Sequence, residues 1–89
     1  MKTYKVTVDE EGIERWYLND LLHREEDKPA IIFPNGDMGW YYKGELDREN
    51  SKPALIFANG NKAWFIRGDR VTEVEAFEYF QFIEYVKSK

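Results

Sequence analysis

The stretch KPAIIFPNGDMGWYYKG, residues 28–44, is followed 24 positions later by KPALIFANGNKAWFIRG, residues 52–68. Both copies run from a Lys-Pro-Ala start through an apolar segment and an Asn-Gly pair to an aromatic segment. The three tryptophans, Trp16, Trp40 and Trp64, share one phase of this spacing. Self-similarity at a short, constant period is typical of a repeat protein, in which each unit is one supersecondary element.

Each copy has the pattern of a β-hairpin. An Asn-Gly pair between two β-prone runs favours a two-residue type I′ turn, because both central residues need a positive φ. Such turns would place Ile31 opposite Trp40 and Phe33 opposite Met38. One sheet face would then carry Ile31, Phe33, Met38, Trp40 and Tyr42, continued by Leu55, Phe57, Trp64 and Ile66. The other face would carry Ala30, Ile32, Gly39 and Tyr41, followed by Ala54, Ile56, Ala63 and Phe65.

The repeat pattern stops at Thr72, where Thr72 and Glu75 form a Thr-x-x-Glu capping box that predicts the start of a helix. The helix is expected over residues 72–87 and should cover one sheet face with an apolar stripe. That stripe consists of Val74, Phe77, Phe80, Ile83 and Val86, while Glu75, Glu78, Gln81 and Glu84 should face away.

The predicted fold is therefore a mainly β (α+β) single domain over residues 1–89. About three β-hairpins with a 24-residue period form an antiparallel meander over residues 4–71, and the C-terminal amphipathic helix caps it. The predicted structural core is Trp16, Trp40, Trp64, Phe33, Phe57, Phe77, Phe80 and Ile83.

Composition narrows the classes of function. The chain has no cysteine, which excludes disulfides and thiolate metal sites and favours a reducing cytoplasm. It also lacks an apolar stretch long enough for a signal peptide or a membrane span. The net charge of −4 is the wrong sign for a simple phosphate binder. We expect no metal, no cofactor and no membrane contact.

No catalytic constellation is recognisable in the sequence. His23 is the only histidine, and neither Ser51 nor Ser88 lies in a nucleophile motif. The acidic clusters 9–11 and 25–27 lack the alternating ligand spacing of a calcium loop. Arg24 and Arg48 are expected to form repeated surface ion pairs. We therefore predict that the protein is not an enzyme.

The segment WYLNDLLHR, residues 16–24, together with the Lys-Pro-Ala and Asn-Gly that follow it, resembles a known repeat. This is the W-Y-x-N-G-x-x-H-R-x-x-G-P-A repeat of bacteriophage and large-virus proteins, which is similar in layout to MORN-type hairpin repeats. The resemblance covers about residues 6–71. Lys28 and Lys52 stand where that repeat has glycine, and Asp47 stands where it has histidine. The resemblance implies a non-catalytic binding protein, such as a small phage accessory protein or inhibitor that acts on a host defence system in the host cytoplasm.

Three functions remain open from the sequence. The first is protein binding through Tyr17, Tyr41 and Phe65, flanked by Lys43 and Arg67, or through the helix. The second is RNA binding, in which exposed aromatics stack bases while basic side chains neutralise phosphates. The basic residues concerned are Lys43, Lys62, Arg67 and Arg70. The third is a small-molecule-sequestering oligomer. A homodimer is expected, because an apolar sheet face left uncovered would favour self-association.

Overall fold

The computed structural model, which describes residues 2–88, consists mainly of antiparallel strands followed by one C-terminal helix. The elements are β1 Lys5–Val8, β2 Glu14–Leu18, β3 Leu21–Leu22, β4 Ile31–Ile32, β5 Met38–Gly39, β6 Tyr41–Tyr42, β7 Glu45–Leu46, β8 Leu55–Ile56, β9 Lys62–Ile66, β10 Asp69–Val71 and α1 Glu73–Lys87. This architecture confirms the predicted fold class. The number of repeat units stays a prediction.

The strands form a flat meander. The main sheet runs in the order β1-β2-β4-β5-β8-β9-β10, with β3 paired to the second half of β2, and β6 and β7 form a separate hairpin. The molecule measures 47 × 36 × 18 Å. Such a thin body encloses few large side chains completely. Its buried apolar residues are Ala30, Trp40, Ala54, Ala63 and Ala76.

The Asn-Gly turns differ from the prediction. The Phe33 N–H donates to the Asp37 carbonyl at 2.9 Å, so the loop has three residues. Gly36 adopts φ +101°, and the Asn35 side-chain oxygen accepts the Asp37 N–H at 2.9 Å. This Asx turn stabilises a three-residue loop in which glycine supplies the left-handed conformation. The Gly36 N–H also donates to the Phe33 carbonyl, and the same two backbone bonds close the loops at 9–13 and 57–61. The predicted two-residue type I′ turn is wrong here.

The longer loop shifts the strand register by one residue. Ile31 pairs with Gly39, and Ile32 pairs with Met38. Because side chains alternate along a strand, a one-residue shift exchanges the faces of neighbouring residues. Trp40 therefore shares its face with Ile32 rather than with Ile31.

We call this side of the sheet the tryptophan face; its members include Trp16, Ile32, Met38, Trp40, Ile56 and Trp64. The opposite side, the tyrosine face, carries Tyr17, Ile31, Gly39, Tyr41, Leu55, Ala63 and Phe65. The predicted positions of Ile31, Phe33, Leu55 and Phe57 beside the tryptophans, and of Ile32 and Ile56 opposite them, are wrong for the same reason.

Type I′ geometry occurs instead at the opposite ends of the hairpins. Lys43 and Gly44, with φ of 51° and 85°, join β6 to β7. Arg67 and Gly68, with φ of 48° and 86°, join β9 to β10. Two consecutive residues of positive φ match the twist of the flanking strands, which explains glycine at the second position.

The helix begins as predicted. The Thr72 hydroxyl accepts the Glu75 N–H at 3.0 Å, and the Glu75 carboxylate accepts the Thr72 N–H at 2.8 Å, so the capping box is complete. The helix lies beside β9, and Ile66 lines a cleft with Phe80 and Ile83, which places the helix on the tryptophan face. All of the polar residues expected to face away, Glu75, Glu78, Gln81 and Glu84, are exposed.

The buried stripe of the helix differs from the prediction. Ala76 is 2% exposed, and Phe80 and Ile83 are half-buried, whereas Phe77 is 52% exposed. Small Ala76 allows the helix to approach closely, and this rotation turns Val74, Phe77 and Val86 outward. Phe57, at the tip of its hairpin, is 38% exposed. The predictions of Phe57 and Phe77 as core residues are therefore wrong.

The other predicted core residues are covered to different degrees. Trp40 is buried, with 6% exposure, whereas Trp16, Trp64, Phe33, Phe80 and Ile83 are half-buried. In the described part of the chain, no helix combines the length and apolar character needed to cross a bilayer.

Candidate protein-binding surface

The structure places the five predicted binding residues in two groups. Tyr17, Tyr41 and Phe65 lie on the tyrosine face and are half-buried. Lys43 and Arg67 are exposed at the type I′ turns, where the Arg67 guanidinium donates to the Tyr79 hydroxyl at 3.0 Å. The aromatic residues thus share a face, and the two cations lie at the hairpin ends.

His23 lies at a buried junction between successive hairpins. Its side chain is 2% exposed, and its ring packs against Tyr42 at 4.5 Å and Tyr4 at 6.2 Å between centroids. The Lys43 N–H donates to Nδ1 at 2.9 Å, so Nε2 carries the ring proton of this neutral tautomer and faces the Glu25 carboxylate at 3.1 Å. With both nitrogens engaged inside the fold, His23 serves a structural role.

Asp47 occupies the same position one copy later and makes the same contact. The backbone N–H of Arg67 donates to the Asp47 carboxylate, as the Lys43 N–H donates to His23. Burial raises the pKa of Asp47, and the hydrogen bond from Arg67 opposes that shift. The two residues are thus equivalent in their contacts as well as in their sequence position. What the sequence missed is the partner, which is a turn of the next hairpin.

The same turns are held by a second bond. The Gly44 N–H donates to the Leu22 carbonyl at 2.8 Å, and the Gly68 N–H donates to the Leu46 carbonyl at 2.8 Å. A type I′ turn leaves both central N–H groups without a partner inside the hairpin, so each turn here docks on the preceding hairpin. These contacts join each hairpin to the preceding one at the end that carries the type I′ turn.

The polar loops fold over the tryptophan face. The Arg24 guanidinium lies 3.7 Å from the centroid of Trp16, and the Arg48 guanidinium lies 3.8 Å from that of Trp40. These cation–π stacks shield the indoles from water. In the third copy the corresponding position is Thr72, the N-cap of the helix, so the helix takes over from the loop. The equal spacing of tryptophan and arginine in two copies was the sequence signal for this stack.

Loop carbonyls hold the indole nitrogens. Trp40 Nε1 donates to the Asp27 carbonyl at 3.1 Å, and Trp64 Nε1 donates to the Ser51 carbonyl at 2.9 Å. Asp27 and Ser51 both have left-handed backbone, with φ of 58° and 62°. The loops are therefore ordered by the tryptophans that they cover.

Asp27 joins one loop to the next. Its carboxylate accepts from Arg48 Nε at 2.8 Å and from Lys52 Nζ at 2.6 Å. The hydrogen bond from Arg48, followed by that from Lys52, lowers the pKa of Asp27 to about 2. The predicted ion pair of Arg48 is thus present, and it links two loops as well as covering Trp40.

The lowered pKa of Asp27 predicts that the stability of the fold depends on pH in the acid range. Because the folded pKa of about 2 lies below the unfolded value of about 3.9, ionised Asp27 stabilises the fold above about pH 4. That stabilisation is lost as the pH falls from 4 towards 2. Urea unfolding midpoints measured over this range should fall less steeply for Asp27→Asn than for the wild type.

A matched control separates this effect from general acid sensitivity. Burial raises the pKa of Asp47, so protonated Asp47 stabilises the fold below the ordinary pKa of an aspartate. This stabilisation is lost as the pH rises through the raised pKa. Asp47→Asn should therefore leave the fall between pH 4 and 2 in place. Equal flattening in both variants would contradict the assignment to Asp27.

An open cleft of about 470 Å³ lies between the two loops. The residues that line it include Trp40, Tyr41, Tyr42, Arg48 and Lys52. Both of these cations are already paired with Asp27, so the cleft offers no free anion-binding group from them. Within residues 2–88, no cluster of histidine and acidic side chains is placed to hold a metal ion.

The outward surface of α1 carries several exposed large apolar side chains. Five of the ten large apolar residues that are exposed in the described chain belong to this helix. They are Val74 at 65%, Phe77 at 52%, Phe82 at 62%, Tyr85 at 59% and Val86 at 51%. Phe82 and Tyr85 lie outside the stripe expected to face the sheet, and this surplus of apolar residues was the available sequence signal.

Comparison with protein-family models, curated proteins and solved structures finds no match to this chain. The fold and the surface define a small antiparallel sheet protein whose helix carries exposed apolar side chains. The resemblance to bacteriophage and large-virus hairpin repeats stays a prediction.

Proposed function

We propose that the chain is a protein-binding module and that the outward surface of α1 binds a basic, amphipathic segment of its partner. The observation that carries this proposal is the exposure of Phe77 and Phe82, each more than half accessible on a well-anchored helix. Aromatic side chains are enriched at the centres of protein interfaces, where their large area is removed from water.

The charge of the helix favours a basic partner. It carries four glutamates, Glu73, Glu75, Glu78 and Glu84, and a single lysine, Lys87. The net charge of the whole chain is −4, which attracts a basic segment before contact. An apolar helix surface interspersed with carboxylates therefore complements a helix that has leucines on one face and lysines beside them.

The helix is also preorganised for binding. The capping box holds its first turn, Ala76 packs against the body of the protein, and Tyr79 accepts a hydrogen bond from Arg67. A surface that is already ordered loses little conformational entropy when a partner binds. The tyrosine face offers a second apolar area, but its aromatic residues are half-buried and so expose less of each ring.

The basic residues support the RNA alternative less well. Of the four basic residues predicted for RNA binding, Arg67 donates to the Tyr79 hydroxyl, and Lys43 lies over the Tyr42 ring at 5.5 Å from its centroid. These contacts leave fewer free cations for a phosphate backbone.

A synthetic helical peptide of about 18 residues, or five turns, with leucines on one face and lysines beside them, tests the proposal. We expect it to bind the wild-type chain in a calorimetric titration. Phe82→Ser should weaken binding by about tenfold or more, because about 1.5–3 kcal/mol of apolar burial is lost. The substitution should barely affect folding, since Phe82 is 62% exposed.

Two controls make this result specific. Phe57→Ser changes another exposed phenylalanine, which lies at the tip of a hairpin outside α1, and should leave the affinity unchanged. A peptide with the lysines replaced by glutamates should bind much more weakly. Equal binding of the basic peptide to wild type and Phe82→Ser, or equal binding of both peptides, would refute the proposal.

A further inference from the structure

We propose that β1 is a self-association edge, at which the β1 strands of two copies pair antiparallel around a two-fold axis through Thr7. β1 is the terminal strand of the main sheet and pairs only with β2 among the described residues. The proposed partner of this edge is a second copy of the chain, and the contact lies apart from the helix surface considered above.

The hydrogen-bonding pattern shows which groups of β1 are available. The Asp9 N–H donates to the Ile13 carbonyl, so the alternation of an antiparallel ladder directs the backbone groups of Lys5 and Thr7 towards β2. Those of Val6 and Val8 must then point outward. Trp16, opposite Val6, confirms this alternation, because its N–H and carbonyl both bond away from β1, to Ala30 and His23.

The exposed side chains of the same strand fit this role. Val6 is 46% exposed and Val8 is 65% exposed, and both lie on the tryptophan face. The strands at the equivalent positions of the later copies, β4 and β8, are each paired on both sides, whereas β1 is paired on one side among the described residues. An exposed edge with two β-branched residues is a template for pairing with another strand.

The sequence of the edge is self-complementary in one register. With Thr7 opposite Thr7 of the second copy, Val6 lies opposite Val8 and can exchange both outward backbone bonds with it. Lys5 then lies opposite Asp9, whose carboxylate is paired with Arg15 at 2.8 Å within its own chain and places a charge opposite in sign to Lys5 on the adjacent strand. If the second strand shifts by two residues in either direction, Lys5 no longer faces Asp9. One valine of each strand then faces a residue other than valine. Lysine on an edge strand normally discourages pairing, but here it selects this register.

Single cysteines test the register directly, because the chain contains no cysteine of its own. Residues opposite each other at a non-hydrogen-bonded position have Cα atoms about 4.5 Å apart, which suits a disulfide. Thr7→Cys should therefore form a covalent dimer rapidly under mild oxidation. Glu10→Cys leaves Lys5, Thr7 and Asp9 in place, and its two exposed cysteines would lie three positions from the axis on either side, too far apart for a disulfide, so cross-linking should be slow. Equal rates for the two variants would overturn the proposal.

A second pair of variants tests the backbone bonds. In the Thr7→Cys background, Val8→Pro removes an outward N–H while leaving the ladder to β2 intact, and proline is tolerated on such an edge. We expect it to slow cross-linking by about tenfold or more, whereas Val8→Ala, which keeps the N–H, should have a smaller effect. Circular dichroism verifies that both variants fold. Unchanged cross-linking in a folded Val8→Pro variant would also overturn the proposal.

Discussion

Replacing Trp40 by alanine is expected to reduce the free energy of unfolding by about 3–5 kcal/mol, the range for removing a large buried side chain. The indole is 6% exposed, donates to the Asp27 carbonyl at 3.1 Å and lies 3.8 Å below the Arg48 guanidinium. Its removal leaves a cavity in a thin body and leaves the loop carbonyl and the guanidinium without their partner. Since the total free energy of unfolding of a small domain is about 5–15 kcal/mol, this variant should approach global unfolding.

Urea unfolding followed by circular dichroism measures this loss. Phe77→Ala is the matched control, because it removes another large aromatic side chain that is 52% exposed. It should change the midpoint only slightly, as surface substitutions usually do. A cooperative transition for Trp40→Ala at nearly the wild-type midpoint would contradict the burial of Trp40 and the role of the loop above it.

His23→Ala is expected to cost about 2–4 kcal/mol. The ring is 2% exposed, and the variant would leave the Lys43 N–H without an acceptor and a void beside Tyr42. A buried donor without a partner is costly by itself. Because this contact docks one hairpin on the next, its loss should weaken the connection between the first two copies.

His23→Asn separates the hydrogen bond from the packing. The Asn side-chain oxygen can replace Nδ1 as acceptor, much as the Asp47 carboxylate does for Arg67 in the next copy. We expect Asn to recover part of the lost stability. Hydrogen exchange at the Lys43 amide should be slow in the wild type and His23→Asn but fast in His23→Ala. Equal protection in all three would show that His23 acts through packing alone.

Much of the architecture was predictable from the sequence by itself. The constant spacing of Trp16, Trp40 and Trp64 indicated repeated hairpins, and the fold is a meander of antiparallel strands. The Thr72 and Glu75 pair marked the start of the helix, and both bonds of the capping box are present. These features depend on neighbouring residues and on local backbone preferences, which a sequence displays directly.

Other features depended on how distant segments meet, and only the tertiary structure decided them. The Asn35 side chain and Gly36 formed a three-residue loop, and that one extra residue exchanged Ile31 with Ile32 between the faces. The two loop lengths differ little in local energy, but the choice between them changes the sheet face of every residue in the paired strand.

The rotation of the helix was also a tertiary result. Val74, Phe77, Phe80, Ile83 and Val86 form a regular stripe in the sequence, yet Ala76 faces the sheet because a small residue permits the closest contact. With more apolar residues around the helix than one face can bury, periodicity alone could not choose among them. That choice leaves Phe77 and Phe82 exposed and so determines the proposed binding surface.

For His23, too, the sequence indicated one part of the result and the tertiary structure decided the other. The sequence identified His23 and Asp47 as equivalent positions, but neither residue reveals that it accepts an N–H from a turn 20 residues later. That contact exists only when consecutive hairpins lie side by side. Local preference therefore determined the hairpins and the helix, while packing between segments determined their faces, their coupling and the surface left for a partner.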